Sequence, residues 1–249
     1  KDPFQSNCLA NKTVALLFEK PSLRTRLSFE VGIRHLGGQP TTLSKEEIGL
    51  GKRESIEDVA RVISRLANMV MIRTFDHANV TKFAAVSTIP VINGLTDSSH
   101  PCQAIADALT IHEHCGALEK QTLVYLGDEN NVTQSLAELC TATQMQFILS
   151  TPNPPKKHHD GCHYEPNPNI AVSHADAIYT DTWVSMGSEP DPDYLKQLAP
   201  YQLNADLLNK AKPQTIVLHC LPAHRGEEIT NEVIESKQSK VFDQAENRL

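Results

Sequence analysis

Short apolar runs alternate along the chain with longer stretches in which apolar residues return every three or four positions. The runs Thr13–Phe18, Met69–Ile72, Ile89–Ile92, Thr122–Leu126, Gln146–Leu149, Ala177–Thr180 and Thr215–Leu218 read as strands, and Pro40–Leu43 is a further short candidate. Helical spacing follows in Leu27, Val31, Ile33 and Leu36, a segment closed by Gly37-Gly38, and in Ile56, Val59, Ile63 and Leu66. Ser55 is placed to cap that second helix, with Glu57 and Asp58 in its first turn. Further helices are expected over Val80–Ala85, from Pro101 through Ala104, Ala108 and Ile111, over Ser135–Thr143, and over Asn204–Ala211. Positions 44–54 and 151–169 read as loops. Strands alternating with helices predict an α/β fold with parallel sheets. A boundary near Gly116 gives two domains, 1–115 and 116–249, each a parallel sheet flanked by helices.

Composition narrows the class. With 249 residues, 40% hydrophobic and 21% charged, the chain has enough apolar surface for a full core. A net charge of −7 implies no basic face for nucleic acid, so anionic ligands must be drawn by local arginines. The six cysteines, at 8, 102, 115, 140, 162 and 220, form no CxxC pair, which points to reduced thiols and a cytoplasmic setting. No apolar run reaches the ~20 residues needed to span a bilayer, and no signal peptide is visible.

The polar clusters fall at the carboxyl ends of the strands. They are Ser22–Arg26, Arg73-Thr74, the loop 93–103, Asn130-Asn131, Asp181–Gly187 and His219–Pro222. Open α/β sheets bind ligands at those ends, which predicts one active site in the cleft between the two domains. In the first cluster Ser22 is a good N-cap, and Arg24, Thr25 and Arg26 crowd the opening turn. Arginine is disfavoured at the positive end of a helix unless an anion neutralises it, and phosphate suits such a turn. The alternative is a solvated basic turn paired with Glu19 and Glu30.

Other clusters carry chemistry of their own. His100 and Gln103 stand on the first turn of a helix that Pro101 pre-sets. A neutral imidazole there can donate to a carbonyl oxygen that gains charge in acyl transfer; a plain cap is equally open on spacing alone. Asp181 reads either as a ligand for a cationic group or as a cap or structural ion pair. The Gly127–Asn131 turn lacks GxGxxG spacing, so a dinucleotide site is rejected. His219-Cys220 invites a Cys-His hydrolase reading, but neighbours on a strand face opposite ways. The segment His158–His163 has metal-binding residue types in no standard zinc spacing, so no metal site is assigned.

The segment Ser22-Leu23-Arg24-Thr25-Arg26 resembles the Ser-x-Arg-Thr-Arg phosphate loop of the aspartate/ornithine carbamoyltransferase family. Three more of its motifs follow in order: His100-Pro101-Cys102-Gln103, Asp181-Thr182-Trp183-Val184-Ser185-Met186-Gly187, and His219-Cys220-Leu221-Pro222. The last two point to the ornithine branch, and the resemblance covers nearly the whole chain. It implies transfer of the carbamoyl group from carbamoyl phosphate to the δ-amine of L-ornithine, giving L-citrulline and phosphate in arginine biosynthesis or catabolism. It also implies that Ser22, Leu23, Arg24, Thr25, Arg73, His100, Gln103, Cys220, Leu221 and Arg248 hold carbamoyl phosphate. Of these, Arg73, His100 and Cys220 act at the reacting groups. Asn131, Asp181, Ser185 and Met186 are implied to hold ornithine. No redox or metal cofactor is implied.

The same resemblance implies a homotrimer with shared active sites, in which the loop at 44–54 reaches a neighbouring subunit. Gly49 stands there where relatives often carry Gln or His, and Lys52 is a candidate substitute. Relatives also have a helix before the first strand and a long helix after Asn247-Arg248-Leu249, both absent from this sequence. The link from Pro166 to Val172 is shorter than in most relatives, which place a helix there. Two further readings stay open: a transcarbamylase for putrescine or an acylated ornithine, and a non-catalytic homologue. Asp181 with Ser-Met-Gly argues against the first, and the intact phosphate turn against the second.

Overall fold

The computed structural model describes residues 6–49, 51, 53–155, 161–184, 189 and 191–249. The chain divides into two compact units, one of Lys1–Cys102 with Arg248 and Leu249, the other of Gln103–Asn247.

The first unit contains β1 (Thr13–Phe18), α1 (Leu23–His35), β2 (Gln39–Ser44), α2 (Lys45–Ile48), α3 (Ile56–Leu66), β3 (Met69–Arg73), α4 (His77–Val86) and β4 (Val91–Leu95). Its four strands are all parallel, in the order β2-β1-β3-β4. Alternation along β1 splits the core. Ala15 and Leu17 face α3 and α4, where Val59, Ala60, Ile63 and Phe83 pack against them. Val14, Leu16 and Phe18 pack with Ile33 of α1 and Met71 of β3. This two-sided burial explains why the strand runs are continuously apolar. Burying each such side chain fully is worth about 1.5–3 kcal/mol. Side-chain oxygens of Ser22, Ser55 and Asp76 accept backbone N–H bonds at the starts of α1, α3 and α4. At the end of β4 the backbone of Gly94 comes so close to β3 that a Cβ would lie 2.2 Å from the Met71 sulfur.

The helix α5 (Pro101–Cys115) contains the division between the units. The second unit continues with β5 (Thr122–Leu126), α6 (Asn131–Thr143), β6 (Gln146–Ser150), β7 (Cys162–Tyr164), α7 (Pro168–Ser173), β8 (Ala177–Thr180), α8 (Pro192–Leu198), α9 (Ala205–Leu208), β9 (Ile216–His219), α10 (Asn231–Ile234) and α11 (Val241–Glu246). Its five strands are also parallel, ordered β7-β6-β5-β8-β9. One face carries Leu123, Tyr125, Phe147 and Tyr179 against Val132, Leu136 and Cys140 of α6. The other carries Val124, Leu126, Ile178 and Val217 against α7, α9 and α10. The fold is thus α/β, with two parallel sheets flanked by helices. No helix among the described residues is long and apolar enough to cross a membrane.

Three local expectations need correction. The stretch 44–54 begins with a helical turn, α2, held by a capping box between Ser44 and Glu47. The segment 151–169 holds a strand, β7, and the link that begins at Pro166 carries a helix, α7. Asn167 caps that helix and Pro168 fills its first turn. Finally, Leu27 of α1 is 52% exposed, and Ile33 carries that helix's contact with the core.

Candidate active site

In each sheet the strand order reverses at one point, where crossovers leave in opposite directions and a crevice opens at the carboxyl ends. In the first unit this point lies between β1 and β3. Phe18 at the end of β1 pairs in register with Arg73 at the end of β3. The Ser22 hydroxyl accepts the Thr25 N–H at 3.2 Å, which fixes the first turn of α1. Thr25 is buried there, and its Oγ1 accepts from Arg73 Nη1 at 3.3 Å and from Arg248 Nη2 at 3.2 Å. A hydroxyl has two lone pairs and one hydrogen. With both lone pairs engaged by guanidinium groups, Thr25 is left as a donor. Two arginines and that hydroxyl therefore converge at the start of α1, a positive arrangement of the kind that suits an anion. Arg24 stands half-buried in the same turn.

Arg26 belongs to the solvated alternative. It turns along the helix to Glu30 at 2.9 Å and does not share the Thr25 cluster. Hydrogen bonds from Thr42 and then Arg26 hold the Glu30 carboxyl below the ordinary carboxylate range. Two contacts brace the turn from behind: the Thr74 hydroxyl donates to Glu19, and Lys20 pairs with Asp97. The Lys20 ammonium also lies 4.2 Å from the Phe75 ring centre.

His100 follows a loop closed by Thr96 and Ser99, each donating its N–H to the other residue. It is 6% exposed. Burial, and then the neighbouring Arg248 and Arg73, push its imidazole well below the usual histidine range. The ring is neutral at physiological pH and can donate one N–H to a carbonyl oxygen.

The second sheet reverses between β5 and β8, where Leu126 pairs with Thr180. Asp181 lies one residue beyond, buried. Its Oδ2 accepts from Asn130 Nδ2 at 2.8 Å, and its Oδ1 accepts from the Thr182 N–H at 2.8 Å and Cys220 Sγ at 3.1 Å. Those neutral donors occupy three of about four lone-pair positions, leaving room for one further donor. Asn130 is held by its own role as N-cap of α6, where its Oδ1 accepts from Val132 and Thr133. Gly127 turns the chain between β5 and α6 at φ +120; a Cβ there would meet the Trp183 ring nitrogen at 3.3 Å.

Cys220 and His219 part company, as opposite strand faces require. Burial and the Asp181 carboxylate raise the Cys220 thiol well above the usual range, so it stays protonated. His219 points into the core, with Nε2 3.0 Å from the buried Glu228 and Nδ1 accepting the Leu221 N–H at 2.9 Å. A backbone N–H can only donate, so Nε2 carries the ring hydrogen. Neither nitrogen is available as a base for Cys220, and the hydrolase reading falls. Leu221 itself sits at φ 58, in the left-handed region.

Of the residues proposed for carbamoyl phosphate, Ser22, Leu23, Arg24, Thr25, Arg73, His100 and Arg248 are gathered in the first unit. Gln103, Cys220 and Leu221 lie in the second. On the amino-acid side Asp181 is tied to Asn130 and Cys220, and Asn131 begins α6. Ser185 and Met186 lie outside the described residues, as do Lys52 and positions 158–160 of the histidine-rich loop. Sequence reading missed Asn130 as the partner of Asp181. Its signal was present: an Asx residue at the mouth of a strand-to-helix turn is a natural cap. Gln244 gave no such signal, because its partners His219 and Asp107 lie 25 and 137 positions away in sequence.

Residues 1–113 match the model of the carbamoyl-phosphate-binding domain of aspartate/ornithine carbamoyltransferases, and residues 119–249 match the aspartate/ornithine-binding domain. The chain is 47% identical to the ornithine carbamoyltransferase of Archaeoglobus fulgidus over 261 residues, covering 97% of this chain and 82% of that one. It is also 47% identical over 251 residues to the enzyme of that name from Bradyrhizobium diazoefficiens, with the same coverage. Among solved structures, ornithine carbamoyltransferase from Pyrococcus furiosus superposes with a TM-score of 0.93 at 44% identity, covering 98% of this chain and 83% of that one. The Thermus thermophilus enzyme gives 0.91 at 38% identity, covering 98% and 85%. Matched in both halves, and in sequence as well as fold, the chain belongs to the aspartate/ornithine carbamoyltransferase family.

Proposed function

We propose that the protein transfers the carbamoyl group of carbamoyl phosphate to the δ-amine of L-ornithine, releasing L-citrulline and phosphate. The observation that carries this reading is the Thr25 cluster, a capped helix end on which Arg73 and Arg248 converge at a strand-order reversal. The phosphate is held there by Ser22, the Leu23 N–H, Arg24 and Thr25 with the two arginines. His100, Arg73 and the Thr25 hydroxyl stabilise the oxyanion that forms when the amine attacks. Gln103 and the Leu221 carbonyl accept from the carbamoyl NH2. Asp181 takes the α-ammonium of ornithine and Asn131 its carboxylate, with Ser185 and Met186 completing that side and Cys220 beside the δ-amine.

Ornithine must lose a proton before attack, because a free alkyl amine titrates at roughly 10.4. Placement next to a protonated thiol and an apolar Leu221 lowers that value by desolvation. Phosphate then leaves into the site that bound it. The remaining catalytic contribution is orientation and preorganised charge.

Carbamoyl phosphate should be supplied with ornithine, putrescine, N-acetylornithine and aspartate in parallel. Turnover with ornithine alone is expected. Turnover with another amine instead would overturn the reading of Asp181, and none at all would revive the non-catalytic homologue.

The assembly proposed is a homotrimer with shared sites, its loop at 44–54 reaching a neighbour, and the proposed setting is the cytoplasm. Resemblance supports the first, and six free thiols the second. Sedimentation equilibrium is expected to give three chain masses; a monomer would remove the shared-site reading.

A further inference from the structure

The turn that follows Pro222 carries three side chains of metal-binding type, His224, Glu227 and Glu228, and the reading above uses none of them. One ring nitrogen of His224, one carboxylate oxygen of Glu227 and one of Glu228 lie within 4.8 Å of one another. His224 and Glu227 are exposed, whereas Glu228 is fully buried. All three belong to the second unit. The backbone between them is held in place. Gly226 turns at φ +98 and donates its N–H to the Ile229 carbonyl at 2.8 Å. Gln202 Nε2 donates to the carbonyls of Gly226 at 2.9 Å and Glu227 at 2.8 Å.

Acids beside a histidine are common on surfaces and need no ion; the buried member sets this group apart. Glu228 Oε1 takes two N–H groups, from His219 Nε2 at 3.0 Å and from the His224 backbone at 2.6 Å. Both of its lone pairs are then engaged. Oε2 is buried and has no hydrogen-bond partner among the described residues. A buried carboxylate oxygen is costly unless a donor or a cation meets it. Arg225, in the same turn, is engaged elsewhere: its Nη1 donates to Asn231 and, at 2.7 Å, to Glu235 Oε1. His224 Nδ1 lies 3.5 Å from Glu227 Oε2, longer than a normal hydrogen bond and short enough for both atoms to reach one ion.

We propose that His224, Glu227 and the Oε2 oxygen of Glu228 bind a divalent first-row metal ion. One imidazole and two carboxylates form a mixed nitrogen and oxygen set, which suits Mn²⁺, Fe²⁺ or Zn²⁺ better than the oxygen-seeking Mg²⁺ and Ca²⁺. Two donors on opposite sides of such an ion, each at about 2.1 Å, stand about 4.2 Å apart. A small movement of the exposed His224 and Glu227 side chains therefore closes the set around the fixed Glu228. The site shares no ligand with the group formed by Asp181, His219 and Cys220, whose sulfur favours a softer ion.

The test titrates Mn²⁺ alone into the whole chain in its assembled form and follows the loss of the free-ion paramagnetic resonance signal. One Mn²⁺ per chain is expected, with a Tm that rises as Mn²⁺ is added. Glu227→Gln and His224→Gln each remove a ligand at an exposed position. Each should weaken binding about 10-fold or more, leave the metal-free Tm unchanged and abolish its Mn²⁺-dependent rise. Cys220→Ser should bind Mn²⁺ as the parent does. Unchanged binding in either Glu227→Gln or His224→Gln would overturn the proposal, and so would a parent that shows no saturable uptake by about 1 mM Mn²⁺. Binding lost in Cys220→Ser would move the ion to Asp181 and overturn it as well.

Discussion

The two strand-order reversals use the same geometry for opposite charges. Between β1 and β3 the polar centre is Thr25, a neutral hydroxyl into which Arg73 and Arg248 both donate. Between β5 and β8 the centre is Asp181, a buried carboxylate into which Asn130, the Thr182 N–H and the Cys220 thiol donate. The first cluster gathers positive charge around an uncharged group and so calls for an anion. The second surrounds one negative charge with neutral donors and keeps its charge uncancelled for a cation. A parallel sheet provides the crevice; the residues one step past the strand ends decide the sign of what enters it.

The largest expected effect comes from breaking the cationic side. Arg24→Ala should weaken carbamoyl phosphate about 10- to 100-fold, the range for losing a charge-assisted hydrogen bond, with the KM for ornithine near normal. Near-normal turnover at low carbamoyl phosphate would remove Arg24 from the phosphate site. A smaller effect, of opposite selectivity, is expected on the anionic side. Asp181→Asn keeps the shape but loses the charge, and should raise the KM for ornithine about tenfold or more while that for carbamoyl phosphate stays put. An unchanged ornithine KM would assign Asp181 to structure alone.

The smallest effect concerns pH. His100 is held neutral by burial and by Arg248 and Arg73, so its folded pKa lies below its unfolded value near 6.5. The unfolded state then binds the extra proton, and the associated stability is present above about pH 6.5 and lost as pH falls below it. His100→Gln should flatten part of the decline in Tm between about pH 7 and 5. An identical decline in both proteins would show that the imidazole is not buried in its neutral form.

The contrast also explains what could be read from the sequence. The cationic cluster is announced locally, because Ser22, Arg24 and Thr25 share one turn and Arg73 ends an obvious strand. The strands themselves were legible because burial on both faces makes them continuously apolar. The helix α7 was hidden because it is one short piece between Asn167 and Ser173, with too few residues to show a period. Leu27 was misjudged as core because spacing alone does not tell a buried stripe from an exposed one. On the anionic side, Asp181 was legible as a polar residue ending a strand, but Asn130 and Cys220 meet it only through the folded sheet. The pairing of Asp107 with Gln244 joins residues 137 positions apart, and no local pattern announces such a contact.

Arg248 has a consequence for biosynthesis. It completes a cluster centred on Thr25, 223 positions earlier in the chain. At ~5–20 residues per second, a ribosome needs about 10–45 s to make that intervening stretch. The sheet of the first unit, whose strands all lie before residue 96, is synthesised long before its second guanidinium exists. A nascent chain released within the second unit would therefore carry the first sheet with the Thr25 cluster short of one of its arginines, and, on the phosphate reading proposed above, phosphate affinity would report whether translation had run past residue 248.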